Sequence, residues 1–155
     1  MKAVYYGYCW SQIGLIEVGG TEREILSVEF VDRYRPQHES HATVREGVRQ
    51  IDEYLGGQLR EFDLPLGMYG TDFQRQVWRQ VLTVPYGQAA TYQDVADAIG
   101  NPLAVRAVGA ANGRNPLPLI VPCHRIIGRD GHLVGYGGGL WRKEWLLRHE
   151  GYLLL

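Results

Sequence analysis

Thr91-Tyr92-Gln93-Asp94-Val95-Ala96-Asp97-Ala98-Ile99-Gly100-Asn101-Pro102-Leu103-Ala104-Val105-Arg106-Ala107-Val108-Gly109-Ala110-Ala111-Asn112-Gly113 carries two helix starts and two helix stops. Thr91 offers a side-chain oxygen to the first free N–H groups of a helix, and Gly100 suits the turn that ends it. Asn101 as cap, Pro102 in the first turn and Asn112-Gly113 as terminator predict a second helix over residues 103–111. Two short helices around a Gly-containing turn make a helix-turn-helix, so this half of the chain reads as mainly helical. Many such hairpins only pack, and the second helix has to decide what this one does. Leu103, Ala104, Ala107, Val108 and Ala111 give it an apolar face. Ala107, Gly109, Ala110 and Ala111 keep it small, and Arg106 is its only long side chain. A reader of the major groove presents several polar side chains to base edges. This helix suits close approach to a minor groove with one protruding cation.

Downstream lies Ile120-Val121-Pro122-Cys123-His124-Arg125-Ile126-Ile127, a thiol, an imidazole and a guanidinium between two apolar runs. Pro122 restricts the backbone before Cys123, and the branched neighbours predict a buried segment. Two readings of Cys123 stay open on these residues: a small hydrophobe in a buried strand, or a nucleophile activated by its cationic neighbours. Adjacent side chains of an extended segment point to opposite faces. A His124 acting on Cys123 therefore needs a turn or a bridging water, and a third group to orient its ring. Gly128-Arg129-Asp130-Gly131 then reads as a hairpin turn. Gly135-Tyr136-Gly137-Gly138-Gly139 is a Gly-rich loop before a helix over 140–149, with Trp141, Trp145, Leu146 and Leu147 expected in the core. The loop lacks the spacing of a nucleotide-phosphate motif, leaving a flexible turn or backbone donors aimed at a ligand oxygen.

Upstream, Thr71 and Gln74 form a capping box for a helix with Phe73, Val77, Trp78 and Val81 inward. Residues 65–70 read as a linker. Residues 3–8, 15–18 and 25–31 read as strands of a small meander, and Thr43 with Glu46 as the capping box of a helix carrying Val44, Val48, Ile51 and Leu55. The fold class is thus α/β in the α+β sense, with an N-terminal lobe over 1–66 and a mainly helical lobe over 71–155. Before Thr71 the chain holds 7 Lys/Arg and 11 Asp/Glu; from Thr71 onward it holds 9 and 6. Any polyanion therefore belongs to the second lobe. Apolar runs fall well short of the ~20 residues of a membrane span, which predicts an intracellular protein with no membrane partner. Cys9 and Cys123 are too few for a disulfide framework or a Cys-rich zinc site, and His38 and His41 read as loop residues rather than ligands.

Val-Pro-Cys-His-Arg at 121–125 resembles the active-site motif of the O6-alkylguanine-DNA alkyltransferases. Residues 104–109 (Ala-Val-Arg-Ala-Val-Gly), Asn115-Pro116, Gly138-Gly139-Leu140 and Lys143-Glu144-Trp145-Leu146-Leu147 match that family in order and spacing. The resemblance is strong over 71–151. Residues 1–65 match only in style, resembling the family's ribonuclease-H-like lobe.

The resemblance implies a DNA repair protein that flips an O6-alkylguanine out of the duplex and transfers the alkyl group to its own Cys123, once per molecule. It implies that His124 deprotonates Cys123 through a water, that Glu150 holds the imidazole, and that Tyr92 protonates the leaving guanine. It places Arg106 in the gap left by the base, with Thr91, Ala107, Gly109 and Asn112 at the DNA. Pro122, Val134, Tyr136, Gly137, Gly138 and Asn115 would shape the pocket and its supports. The expected partner is double-stranded DNA carrying O6-alkylguanine, with O4-alkylthymine open as a second substrate. No cofactor is expected, the protein would act as a monomer, and its address would be the cytoplasm, or the nucleus of a eukaryote. Some members carry Ser or Ala where Gly137 stands, implying a looser loop here. Others bind a structural zinc in the first lobe, for which this chain lacks the cysteines, so no metal is expected. A non-catalytic lesion binder, a helix-turn-helix regulator and a thiol hydrolase are the alternatives.

Overall fold

The structure, a computed structural model, describes residues 3–36 and 39–153. It divides into two compact units, Met1–Tyr69 and Gly70–Leu155.

In the first unit β1 (Tyr5–Ser11), β2 (Gly14–Gly20) and β3 (Ile25–Val31) form an antiparallel sheet in the order β1-β2-β3, covered by α1 (Ala42–Leu55). β3 has the expected bounds, while β1 and β2 run further toward each other than periodicity alone predicts, because Gly14 at φ 113° makes the tight turn that lets Ser11 pair with Gly14. Gly7 lets the helix sit close: a Cβ there would lie 2.8 Å from Val48 Cγ2. The cap of α1 is His41, whose ring accepts from Thr43 N, rather than the expected Thr43–Glu46 box. Thr43 instead donates to the Glu22 carbonyl at 2.6 Å, and Glu46 is drawn to Arg49 and Gln50 on its own helix. His38 lies outside the described residues. The expected linker is also partly structured. Ile25 N donates to Pro65 O at 2.7 Å and Gly67 N to Ile25 O at 2.8 Å, extending the β3 edge.

In the second unit α2 (Asp72–Val81) opens on Thr71 with both bonds of the capping box, and buries Val77, Trp78 and Val81. The two-residue β4 (Ala90–Thr91) leads into α3 (Tyr92–Ala98), which Thr91 caps by accepting from Asp94 N. Gly100 at φ 76° turns the chain, and α4 follows at Val105–Gly113. That is later than predicted. Asn101 to Ala104 close a separate turn first, leaving Leu103 96% exposed and off the apolar face, while Val108 and Ala111 are buried. Trp78 Nε1 donates to Ala111 O at 2.8 Å, bonding α2 to α4.

Cys123–Arg125 form a 3-10 turn rather than a strand; only Ile126–Ile127 (β5) is extended, paired parallel to β4. Gly128 N bonds His132 O at 2.8 Å, so residues 128–132 do turn, but 132–134 form no second strand of a hairpin. The last helix, α5, is Leu140–His149. Its core residues include Leu146 and Leu147, whereas Trp141 is 55% exposed and Lys143 is buried in its place. No helix among the described residues is long and apolar enough to cross a membrane.

Candidate active site

The chain reaches Cys123 through a constrained path. Leu119, fully buried, adopts φ 75°, a conformation costly for a side chain with a Cβ and retained only where the surroundings enforce it. Asn115 supplies part of that enforcement: its Oδ1 accepts from Leu117 N and its Nδ2 donates to Val121 O, both at 2.8 Å. Pro122 then leads into the 3-10 turn. Successive residues of such a turn are about 120° apart instead of 180°. The turn that the Cys-His adjacency demanded is therefore present in the backbone.

His124 and Glu150 have fully buried side chains, with His124 Nε2 and Glu150 Oε2 2.8 Å apart. Glu150 caps the C-terminal end of α5 and also takes a two-pronged bond from Arg125, Nε to Oε1 and Nη2 to Oε2, each 2.8 Å. Arg125 is held further by donating to Val84 O at 2.7 Å and lying over the Tyr86 ring. Burial acts to raise the Glu150 pKa, but the hydrogen bonds from His124 and Arg125 outweigh it and hold the carboxyl well below the usual range. Burial pushes His124 the other way, below the ordinary imidazole value, against the pull of Glu150. The resting imidazole is therefore neutral. The triad of a ring, a carboxylate and a guanidinium is ordered by charge: Arg125 compensates Glu150, and Glu150 fixes the ring. The sequence offers Arg125 only as a cationic neighbour of Cys123; that it turns inward onto Glu150 cannot be seen in a guanidinium that follows a Cys-His pair.

Cys123 is 6% exposed, and burial raises its thiol to about 11, opposed by a hydrogen bond from Asn115 and by the Lys143 charge. Lys143 was also missed. Its ammonium donates to the carbonyls of Ile126, Val134 (2.9 Å) and Gly135 (3.3 Å), and burial lowers it to about 8. It fastens β5 to the loop that follows it. Its position in the 140–149 stretch, two after Trp141, could have been found by testing which residue the helical period turns inward.

Tyr92, the first residue of α3, donates its phenol to Val134 O at 3.0 Å, and burial raises its pKa. Val134, expected to line a pocket, is half-exposed and contributes its carbonyl to Tyr92 and Lys143. Tyr136 is partly exposed, yet its hydroxyl is buried without a hydrogen-bond partner among the described residues. Gly138 O accepts from Arg142 Nη1 at 2.8 Å, and Gly137 is exposed. Arg106, Ala107 and Ala110 form the exposed side of α4, and Gly109 faces the Tyr92 ring, where a Cβ would lie 3.9 Å from Tyr92 Cδ1. Asn112, expected at the DNA-facing surface, is instead 6% exposed and turned inward, its Nδ2 3.3 Å from the Cys123 carbonyl. The reason is its place one turn after Gly109, on the side of α4 that faces Tyr92. Thr91 is spent in part on capping α3.

The family model described as "6-O-methylguanine DNA methyltransferase, DNA binding domain" matches residues 72–152, and that of the family's ribonuclease-like domain matches residues 4–68. A methylated-DNA--protein-cysteine methyltransferase of Methanosarcina barkeri is 43% identical over 153 residues, covering 95% of this chain and 97% of that protein. The crystal structure of the Mycobacterium tuberculosis O6-methylguanine methyltransferase superposes with a TM-score of 0.87 at 42% identity, covering 96% and 93% of the two chains. That of M. tuberculosis OGT in complex with DNA gives 0.86 at the same identity, covering 95% and 92%. With both lobes matched and the relatives spanned nearly end to end, the chain belongs to the 6-O-methylguanine DNA methyltransferase family.

Proposed function

We propose that this protein repairs O6-alkylguanine in duplex DNA by taking the alkyl group onto Cys123. The observation that carries the reading is the buried His124–Glu150–Arg125 cluster adjoining a buried thiol, on a family background whose named members transfer methyl groups from DNA to cysteine. With its pKa raised to about 11, Cys123 is a thiol at neutral pH, so its proton has to leave as the S–C bond forms. Nε2 of His124 is engaged by Glu150, which makes Nδ1, through a water, the receiving atom. The carboxylate then stabilises the imidazolium. As the alkyl C–O6 bond breaks, charge develops on the guanine, and Tyr92 donates its phenol proton to the ring. The imidazolium proton afterwards returns to the phenolate through solvent. The product is a thioether with no carbonyl for water to attack, so each molecule acts once.

The alkylated oxygen is stacked inside the duplex, and the nucleotide has to be extruded first. Arg106 fills the vacated space, with Ala107, Ala110 and Gly109 allowing α4 to sit close in the minor groove. Asn115 and Pro122 hold the thiol segment, and Tyr136, Gly137 and Gly138 receive the base. We place the protein in the cytoplasm, or in the nucleus of a eukaryote, with the DNA it acts on, working as a monomer, with O4-alkylthymine as the candidate second substrate. The test is intact-mass measurement after incubation with duplex DNA carrying O6-methylguanine. One added methyl per protein, mapped to Cys123, is expected; multiple turnovers or a tag on Cys9 would sink the reading.

A further inference from the structure

Asn112 is 6% exposed, and its Oδ1 is buried with no hydrogen-bond partner among the described residues. The amide cannot turn to relieve this. Its Nδ2 donates to the Cys123 carbonyl at 3.3 Å, and the side chain acts on the Tyr92 phenol in the sense that favours the phenolate, as a neighbouring N–H donor does. Asn112 is thus anchored through its amide nitrogen at the residue that takes the alkyl group and beside the residue that protonates the base, with Oδ1 left as a buried acceptor. A buried acceptor without a donor is costly, and at a reaction centre it points to a ligand group that supplies one. A second buried polar atom, the Tyr136 hydroxyl, is also without a hydrogen-bond partner among the described residues.

We infer that Asn112 is a specificity-determining residue whose Oδ1 accepts a hydrogen bond from the exocyclic amine of the flipped guanine. The inference rests on the alkyl-transfer reading above. In O6-alkylguanine the pyrimidine-ring nitrogens are both unprotonated, and the amine is the only N–H donor of the base. Either of those nitrogens adjoins the carbon bearing the amine. A base oriented with one of them toward Tyr92 therefore brings its amine beside Tyr92, where Asn112 lies. O4-alkylthymine has no N–H donor and leaves Oδ1 unpaired, and so does O6-alkylhypoxanthine, which lacks only the amine.

The experiment compares single-turnover methyl transfer from duplexes carrying O6-methylguanine or O6-methylhypoxanthine at one site. Wild type should favour the guanine lesion by about tenfold, the worth of a buried hydrogen bond. Asn112→Leu, close to isosteric, should bring the ratio to within about twofold by slowing guanine repair. Asn112→Ala, which opens space instead of filling it, should do the same and guards against a variant that does not fold. An equal rate on both lesions in wild type, or a ratio unchanged in either folded variant, overturns the inference while leaving alkyl transfer intact. No methyl on Cys123 from either duplex would instead overturn the transfer reading itself, and this inference with it.

Discussion

The two cysteines sit in different units, and burial alone does not separate them. Cys9 in β1 and Cys123 are each 6% exposed, and burial raises both thiols to about 11. What differs is the sign of the surroundings. Cys9 Sγ lies 3.7 Å from Asp52 Oδ1, and that carboxylate contributes to its rise after burial. Around Cys123 stand groups that favour the thiolate: the Asn115 amide, the Lys143 ammonium and backbone N–H donors, with an adjacent neutral imidazole able to take a proton. Equal exposure with opposite neighbours leaves Cys9 beside an anion and Cys123 beside donors and a cation, the surroundings that the proposed transfer requires. A cysteine's exposure is therefore a poor guide to its reactivity, and its partners decide.

The most direct way to break this contrast is to exchange the thiols. Cys123→Ser should abolish methyl transfer while leaving DNA binding nearly intact, and Cys9→Ser should leave transfer within about twofold. Intact mass and a gel-shift titration on the same samples read both outcomes.

Next in size is the relay. Glu150→Gln should slow transfer by roughly two to four orders of magnitude, because it removes the charge that stabilises the imidazolium. It also leaves Arg125 buried without its counter-charge, at a stability cost of about 3–5 kcal/mol. Single-turnover rates against pH, alongside thermal melting at neutral pH, check the two parts separately. An unchanged rate and pH profile would mean the thiol is activated by something else.

Arg106→Ala distinguishes a wedge from a phosphate anchor. As a wedge, its loss should slow repair of a stacked duplex lesion at least tenfold and a single-stranded lesion much less. As an anchor, both should weaken together, and the slope of log affinity against log salt should fall by about 0.9.

Lys143 supplies a pH signature. Its folded pKa of about 8 lies below the ordinary lysine value of about 10.4. Between the two, the unfolded chain binds the proton that the folded one has released, so this group makes stability rise with pH. The thiols do the reverse. Raised from about 8.5 to about 11, they keep their protons longer in the fold, and stability falls across that window. Lys143→Met removes the compensating rise, so its melting temperature should drop more steeply than wild type from pH 8.5 to 10.4. Its transfer rate at neutral pH should fall about tenfold with the loss of a cation beside the thiolate.

The smallest effect sharpens the comparison from the other side. Asp52→Asn removes a charge that raises the Cys9 pKa, so Cys9 should react a few-fold faster with a small neutral thiol reagent at pH 8. Methyl transfer should not change.

Local chemistry in the sequence determined a good deal of this protein. The capping residues Thr71 and Thr91, the Gly100 turn and the three β-rich runs specified a helix-turn-helix lobe and a small meander, because caps and alternation act within a few residues of chain. The motif at 121–125, with the matching stretches around it, was enough to indicate the family. Where side chains point when several satisfy the same local rule was left to the tertiary structure. His41 displaced Thr43 as the cap of α1 because Thr43 found the Glu22 carbonyl. Trp141 stayed outside while Lys143 went in, because an ammonium that satisfies carbonyls of Ile126, Val134 and Gly135 is held by partners distant in sequence. Arg125 turned inward to Glu150, 25 residues away, and Asn112 turned from the outer surface of α4 to the Cys123 carbonyl. Burying a charge or an amide is unfavourable until its partners are in place, and no window of sequence contains those partners.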